Sequence, residues 1–162
     1  MKDINGEHPL GDSGQLVLLV FFLLIWVVDS FILQLSTFLS DSIPLYIRLV
    51  ALGLLLMTAV YLIKSGHAVA KSEQRPYGIV STGAFSYVRH PLYLGSIMFY
   101  FGLAVATASL VSLALVVVIF LFYNYIAGYE EKLLEERFNG AYRRYKNRTG
   151  KWLPMIGKTN SM

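Results

Sequence analysis

The sequence predicts an all-α integral membrane bundle of about four transmembrane helices, with a polar loop at one membrane surface and a C-terminal amphipathic helix. Three observations carry this. The 162 residues are 56% hydrophobic and only 15% charged, with positive mean hydropathy, which marks a membrane protein. The apolar residues gather into four long segments, each close to the length that crosses a hydrocarbon core. The polar residues concentrate between the second and third segments and after the fourth. This length suits one domain. Without Cys there is no disulfide, thiolate metal site or thiol nucleophile. A net charge of +4 suits an anionic membrane surface and is too small to argue for nucleic acid.

The elements follow in order. Residues 1–14 are polar and read as a surface tail. No cleavable signal peptide is expected, because the next apolar segment is too long for one. That segment, 16–39, is interrupted by Asp29 and Gln34. An intramembrane carboxylate is functional by default, although Ser30, Gln34 and tyrosines are available to satisfy it. Residues 40–44 make a turn, and Pro44 suits the first turn of a helix over 45–63. Lys64 and His67 read as snorkelling interfacial groups, and 67–77 as a polar connector carrying Lys71, Glu73 and Arg75. Spans over 92–107 and 110–127 are joined by a turn at 107–109. Each rises roughly 26 Å, short enough to call for tilt or local thinning. Gly95, Gly102 and Ser109 recur every seven residues, a seam of small side chains that lets a neighbour approach.

Beyond 127 the chain turns polar. Leu133, Leu134, Phe138, Ala141, Tyr142 and Tyr145 fall on one helical face, with charges opposite. Asn139-Gly140 is a natural break. Such a helix lies on lipid, closes over the loop as a lid, or does both. Trp152 and the tyrosines suit an interface belt. Lys71, Arg75 and Arg89 in the loop, and eight Lys and Arg residues from Lys132 to Lys158, outnumber those in the other two loops. This charge bias places both termini and the loop on the cytoplasmic side.

The functional stretch is 78–93, read with Glu130 and Glu131. Pro91 disfavours helix at His90 and suits the helix that follows. His90 therefore stands at a helix mouth, where unpaired N–H groups and the dipole favour an anion. A hairpin of two spans returns Glu130 and Glu131 to Arg89 and His90. Each residue also has a plainer reading. Arg89 would anchor on lipid phosphates, His90 would cap the helix, and the two Glu would be solvated. The histidines, His8, His67 and His90, are too scattered for a metal site.

The run Gly83-x-Phe85-x-x-x-Arg89-His90-Pro91-x-Tyr93, followed by Glu130-Glu131 and Phe138-x-Gly140-x-Tyr142-x-x-Tyr145, resembles the isoprenylcysteine carboxyl methyltransferase family and its phospholipid methyltransferase relatives. The resemblance covers about half of the chain. It implies a cytoplasmic cofactor-binding loop, the cofactor S-adenosylmethionine, and a methyl acceptor drawn from the bilayer. On that basis residues 1–14 are a tail, 15–66 the first two spans, 67–154 the methyltransferase-like region and 155–162 a tail. The implied cofactor site comprises Tyr77, Gly78, Ile79 and Val80 along the adenine, and Phe85 as a stacking group. His90, Pro91, Leu92 and Tyr93 would hold the amino-acid end, and Glu130 would accept from the ammonium. Arg89 would orient cofactor or acceptor, and Glu131 would serve as base for an acceptor that must lose a proton. Relatives that methylate a prenylcysteine carboxylate carry an Arg shortly before the acidic pair, where this chain has Ile126. That leaves amine, thiol and other lipid-soluble nucleophiles open. Two rivals remain on sequence alone: an NADPH-dependent sterol-reductase-like enzyme, which shares a similar Arg-His-Pro-x-Tyr block, and a non-enzymatic four-helix scaffold.

Overall fold

The structure, a computed structural model, describes residues 11–70 and 78–155. Among them five α-helices follow one another: α1 (Gly11–Val27), α2 (Leu45–Ala70), α3 (Pro91–Thr107), α4 (Leu110–Phe138) and α5 (Gly140–Arg148). Three helices are long and apolar enough to cross a membrane: Gly14–Leu33, Leu45–Ala68 and Leu110–Phe138. The fourth apolar helix, α3, is the shorter Pro91–Thr107. This is the all-α membrane bundle that the composition predicts.

Helix α1 does not run straight to residue 39. It widens into a π-turn over Val28–Leu33 and stops at Gln34, whose φ of 52° is left-handed. π-turns are rare and displace the side chains they carry. Here Asp29 and Ser30 are buried. Asp29 Oδ2 accepts from Ser36 Oγ (2.5 Å) and Ser109 Oγ (2.6 Å), and Oδ1 accepts from the Ser36 amide (3.2 Å). The partners are thus Ser36 and Ser109, not the Ser30, Gln34 or tyrosines expected. Ser36 in turn accepts from the first amides of α4, Leu110 N at 3.2 Å and Val111 N at 3.0 Å. Beside this network Trp26 Nε1 donates to Leu103 O and Thr107 Oγ1, both at 3.1 Å. Arg48 Nη1 caps the end of α3 by donating to Ala106 O (2.8 Å).

Helix α2 continues to Ala70, past the expected end at 63. The polar run from Lys64 marks where the helix leaves the apolar layer, and nothing in it breaks the backbone. Gly66 there lies so close to α3 that an added Cβ would stand 2.7 Å from Leu92 Cδ2. The seam of small residues is present along the same face. A Cβ on Gly95 would meet Ile63 at 2.7 Å, and one on Gly102 would meet Leu52 at 3.2 Å. Ser109 is not part of it: α3 ends at Ala108 (φ 52°), and Ser109 caps α4 by accepting from Ser112 N.

Helix α4 also departs from the expected 110–127. It runs unbroken through Gly128 and the acidic pair to Phe138, so the amphipathic stretch begins as its continuation. A single helical Gly weakens the helix by only about 1 kcal/mol relative to Ala. The break falls at Asn139 (φ 42°), as expected from Asn139-Gly140. The core joins α1, α3 and α4 through Phe22, Tyr93, Tyr100, Ile119, Tyr123 and Ile126. Large apolar side chains on the outer faces of α1 and α2, such as Leu24, Leu54 and Met57, are exposed, as lipid-facing residues are.

Candidate functional site

The site is built where the start of α3, the last turns of α4 and the chain after α5 converge. The loop leading to it is held from below. Gly83 adopts φ 58°, a conformation that favours glycine, and opens a 3-10 turn over Gly83–Ser86. The Ala84 amide then donates to Ser65 Oγ on α2 (2.8 Å), and Ala84 is fully buried. Val88 pairs with Gly150 as an isolated parallel bridge, and Arg89 N donates to Gly150 O at 2.9 Å. Tyr145 OH donates to Phe85 O at 2.7 Å.

Arg89 is buried. Its Nε donates to Glu131 Oε1 (3.0 Å), and its Nη1 donates to the carbonyls of Lys146 (3.1 Å) and Thr149. This arrangement replaces lipid anchoring: the guanidinium fastens the tail to α4. His90 precedes α3 but makes no side-chain cap. Its Nε2 lies 3.2 Å from Glu131 Oε1 and its Nδ1 lies 3.7 Å from Glu130 Oε2. Burial pushes the His90 pKa down, Arg89 and Lys151 push the same way, and Glu131 opposes them. Tyr93 OH donates to Glu130 Oε1 at 2.5 Å. The Tyr93 ring stacks on His90 (5.8 Å, 12°) and on Tyr123 (5.0 Å, 10°). Neither glutamate is solvated: their side chains are 14% and 8% exposed.

The structure thus brings Arg89, His90, Tyr93, Glu130 and Glu131 into one hydrogen-bonded cluster, with Pro91 buried beneath it. Leu92 packs away from the cluster against Gly66. Phe85 is half-buried and tied through its carbonyl. Gly78, Ile79 and Val80 are irregular backbone, with Gly78 exposed, and Tyr77 lies outside the described residues. Glu131 is poorly placed as a base. It already accepts from Arg89 and His90, and Lys146 Nζ stands 3.4 Å from its other oxygen. A carboxylate stabilised by such donors holds a proton weakly.

Four residues that the sequence reading assigned elsewhere, or passed over, belong here. Thr149 and Gly150 supply carbonyls to Arg89. Lys151 Nζ donates to Asn124 O (3.0 Å) and Asn124 Oδ1 (2.8 Å), and Trp152 Nε1 donates to the same Oδ1 (3.1 Å). The Trp152 ring stands 5.9 Å from His90 and 5.4 Å from Phe120. Trp152 is therefore a wall of the site. The aromatic face of α5 also points inward: Tyr142 is buried, so this face packs on protein instead of lipid.

Residues 45–141, more than half of the chain, match the phospholipid methyltransferase family. The chain belongs to that family. The match begins at α2, which by sequence alone shared only its apolar character. A protein-S-isoprenylcysteine O-methyltransferase of Saccharomyces cerevisiae is 34% identical over 93 residues, which are 56% of this chain and 38% of that protein. A protein of the same name from Schizosaccharomyces pombe is 29% identical over 91 residues, 56% of this chain and 39% of that one. The matched stretch thus spans less than two-fifths of either relative. No solved structure gives a significant match.

Proposed function

We propose that this chain is a membrane-embedded, S-adenosylmethionine-dependent methyltransferase that acts on a lipophilic acceptor by direct transfer. The observation that carries the reading is the buried cluster of His90 and Tyr93 against Glu130, backed by Arg89 on Glu131. The cluster fits the cofactor. Glu130 is a carboxylate of low exposure flanked by aromatic rings, which suits an ammonium and a nearby sulfonium. When bound, S-adenosylmethionine supplies an electrophilic methyl group on a good leaving group.

The chain's own residues then align and exclude water. His90 and Tyr93 orient Glu130 toward the amino-acid end, and the start of α3 at Pro91 favours its carboxylate. Gly78, Ile79 and Val80 would line the adenine. Arg89 and Glu131 are positioning groups that hold α3, α4 and the tail in register. Trp152 screens the site. The excess of Lys and Arg on this end of the bundle supports a cytoplasmic orientation for it.

S-adenosylhomocysteine, which keeps all that the site grips except the methyl group and its charge, is expected to raise the melting temperature of the detergent-solubilised protein. Glu130→Gln should need about tenfold to a hundredfold more of it, the loss of one charge-assisted contact. Stabilisation by NADPH, with none by S-adenosylhomocysteine, would move the assignment to the reductase class.

A further inference from the structure

The chain after α5 reverses sharply, which the cluster of titratable groups does not require. Gly150 stands against the residues that follow it: a Cβ there would run into the Leu153 carbonyl and stand 3.7 Å from Met155 Cγ. Only glycine leaves room for that close approach. The reversal sorts the side chains. Lys151 Nζ and Trp152 Nε1 both turn inward, onto the side-chain oxygen of Asn124, and the Trp152 ring goes on to Phe120. Leu153, Pro154 and Met155 are left outside. Leu153 is 77% exposed, more than any other large apolar side chain among the described residues.

A lone exposed leucine needs no explanation. The height of this one along the bundle gives it a meaning. Arg89 joins Gly150, through its amide, to Glu131, through its Nε, so the turn starts near the level of the acidic pair. Asn124 precedes Glu131 by seven residues, about 10 Å along α4, and lies inside the apolar run that ends at Ala127. The side chains of Lys151 and Trp152 thus reach from the polar end of the helix into its apolar part. There α4 shows Leu121 and Tyr125 outward, both exposed, as lipid-facing residues are. On the other side of the turn, α5 pairs through Arg143 and Lys146 with Glu135, one turn further from the bilayer than Glu131. Arg144 and Arg148, four residues apart on α5, are exposed and pair with no carboxylate among the described residues.

We propose that residues 151–155 are a lipid-anchoring hook: Leu153 and Met155 insert among acyl chains at the headgroup boundary beside the site, while Arg144 and Arg148 meet lipid phosphates. The partner is the bilayer. Cations toward water and apolar tips toward the spans repeat the order of a leaflet, phosphate outside and chains within. The hook carries Trp152, so one wall of the site is tied to the depth of the membrane. The inference does not depend on which group the site transfers.

The chain has no cysteine, so a nitroxide can be attached at one position at a time. The full chain is labelled as Leu153→Cys, as Tyr125→Cys on α4, or as Glu136→Cys, which is exposed beyond the acidic pair. Each is reconstituted in vesicles of phosphatidylcholine and phosphatidylglycerol. Power saturation then compares collisions with oxygen, which concentrates in lipid, and with a water-soluble nickel chelate. Oxygen should dominate at 153 as it does at 125, and nickel should dominate at 136. Nickel dominating at 153 overturns the proposal, because the tip then lies in water. A label at 153 that neither reagent reaches also overturns it, because protein, a second copy included, then covers the tip. A second variant tests whether the leucine does the anchoring. A label on Met155→Cys should favour oxygen, and adding Leu153→Asp should swing it toward nickel by lifting the tip. A label at 155 that ignores the new charge overturns the anchoring role.

Discussion

Arg89 and His90 are neighbours in sequence that face the same carboxylate, yet they do different things. Arg89 makes its bonds to Glu131 and to two carbonyls of the tail. Arg89→Ala would leave a buried carboxylate short of its partner, which destabilises by about 3–5 kcal/mol. Lys in its place offers no planar fork for three acceptors. Limited trypsin digestion should therefore cut between 139 and 149 faster in both variants, and unchanged resistance would mean that the tail is held by something else. His90 gives a pH dependence. Burial keeps its folded-state pKa below the ordinary value, so the unfolded chain takes up the proton first as pH falls. The unfolded state then binds more protons below about pH 6.5, and stability present above that pH is lost beneath it. The melting temperature should drop between about pH 7.5 and 5.5 in the wild type and less in His90→Gln. Equal slopes would show that another group titrates.

The helices argue through their contacts. Gly95 sits against the Ala59 carbonyl and Ile63, whereas Gly53 on α2 faces open space. Gly95→Val should lower the melting temperature by several degrees, by forcing α2 away from α3, while Gly53→Ala should be neutral or stabilising. Equal effects would mean that the two helices are not packed as described. Much at this scale was legible in the sequence. Pro91 and the turn at 107–109 bounded α3, and the hairpin rule brought Glu130 and Glu131 back to His90. What escaped was of two kinds. The C-terminal end of α2 and the continuity of α4 were misjudged because a polar run signals departure from lipid, and the backbone has no reason to stop there. The tail residues Thr149 to Trp152 were missed because their roles come from carbonyls and from a clamp on Asn124, and neither leaves a pattern in side-chain type.

At the scale of the whole molecule, the two ends of the bundle are specialised. One end carries the cluster of titratable groups, and the other carries Asp29 with its serines. The end of α5 and residues 149–152 pack against Arg89 and His90, and on the methyltransferase reading a lipophilic acceptor should enter from the bilayer. A membrane-partitioning acceptor should then be turned over far better than a short-chain, water-soluble one at equal bulk concentration, and parity would rule out entry from lipid. The Asp29 end has a consequence for biogenesis. Ser36 lies 7 residues from Asp29 and can bond it as soon as the first span leaves the ribosome, but Ser109 lies 80 residues on. A carboxylate at the centre of a lone apolar helix resists insertion by roughly 2.5–3.5 kcal/mol, and one near the end of its span, as Asp29 is, resists it by less. The early Ser36 bond offsets part of that, and the rest waits for the third and fourth spans. The first span should therefore linger at the insertion machinery until its partner is made, and order of assembly would be written into a single side chain.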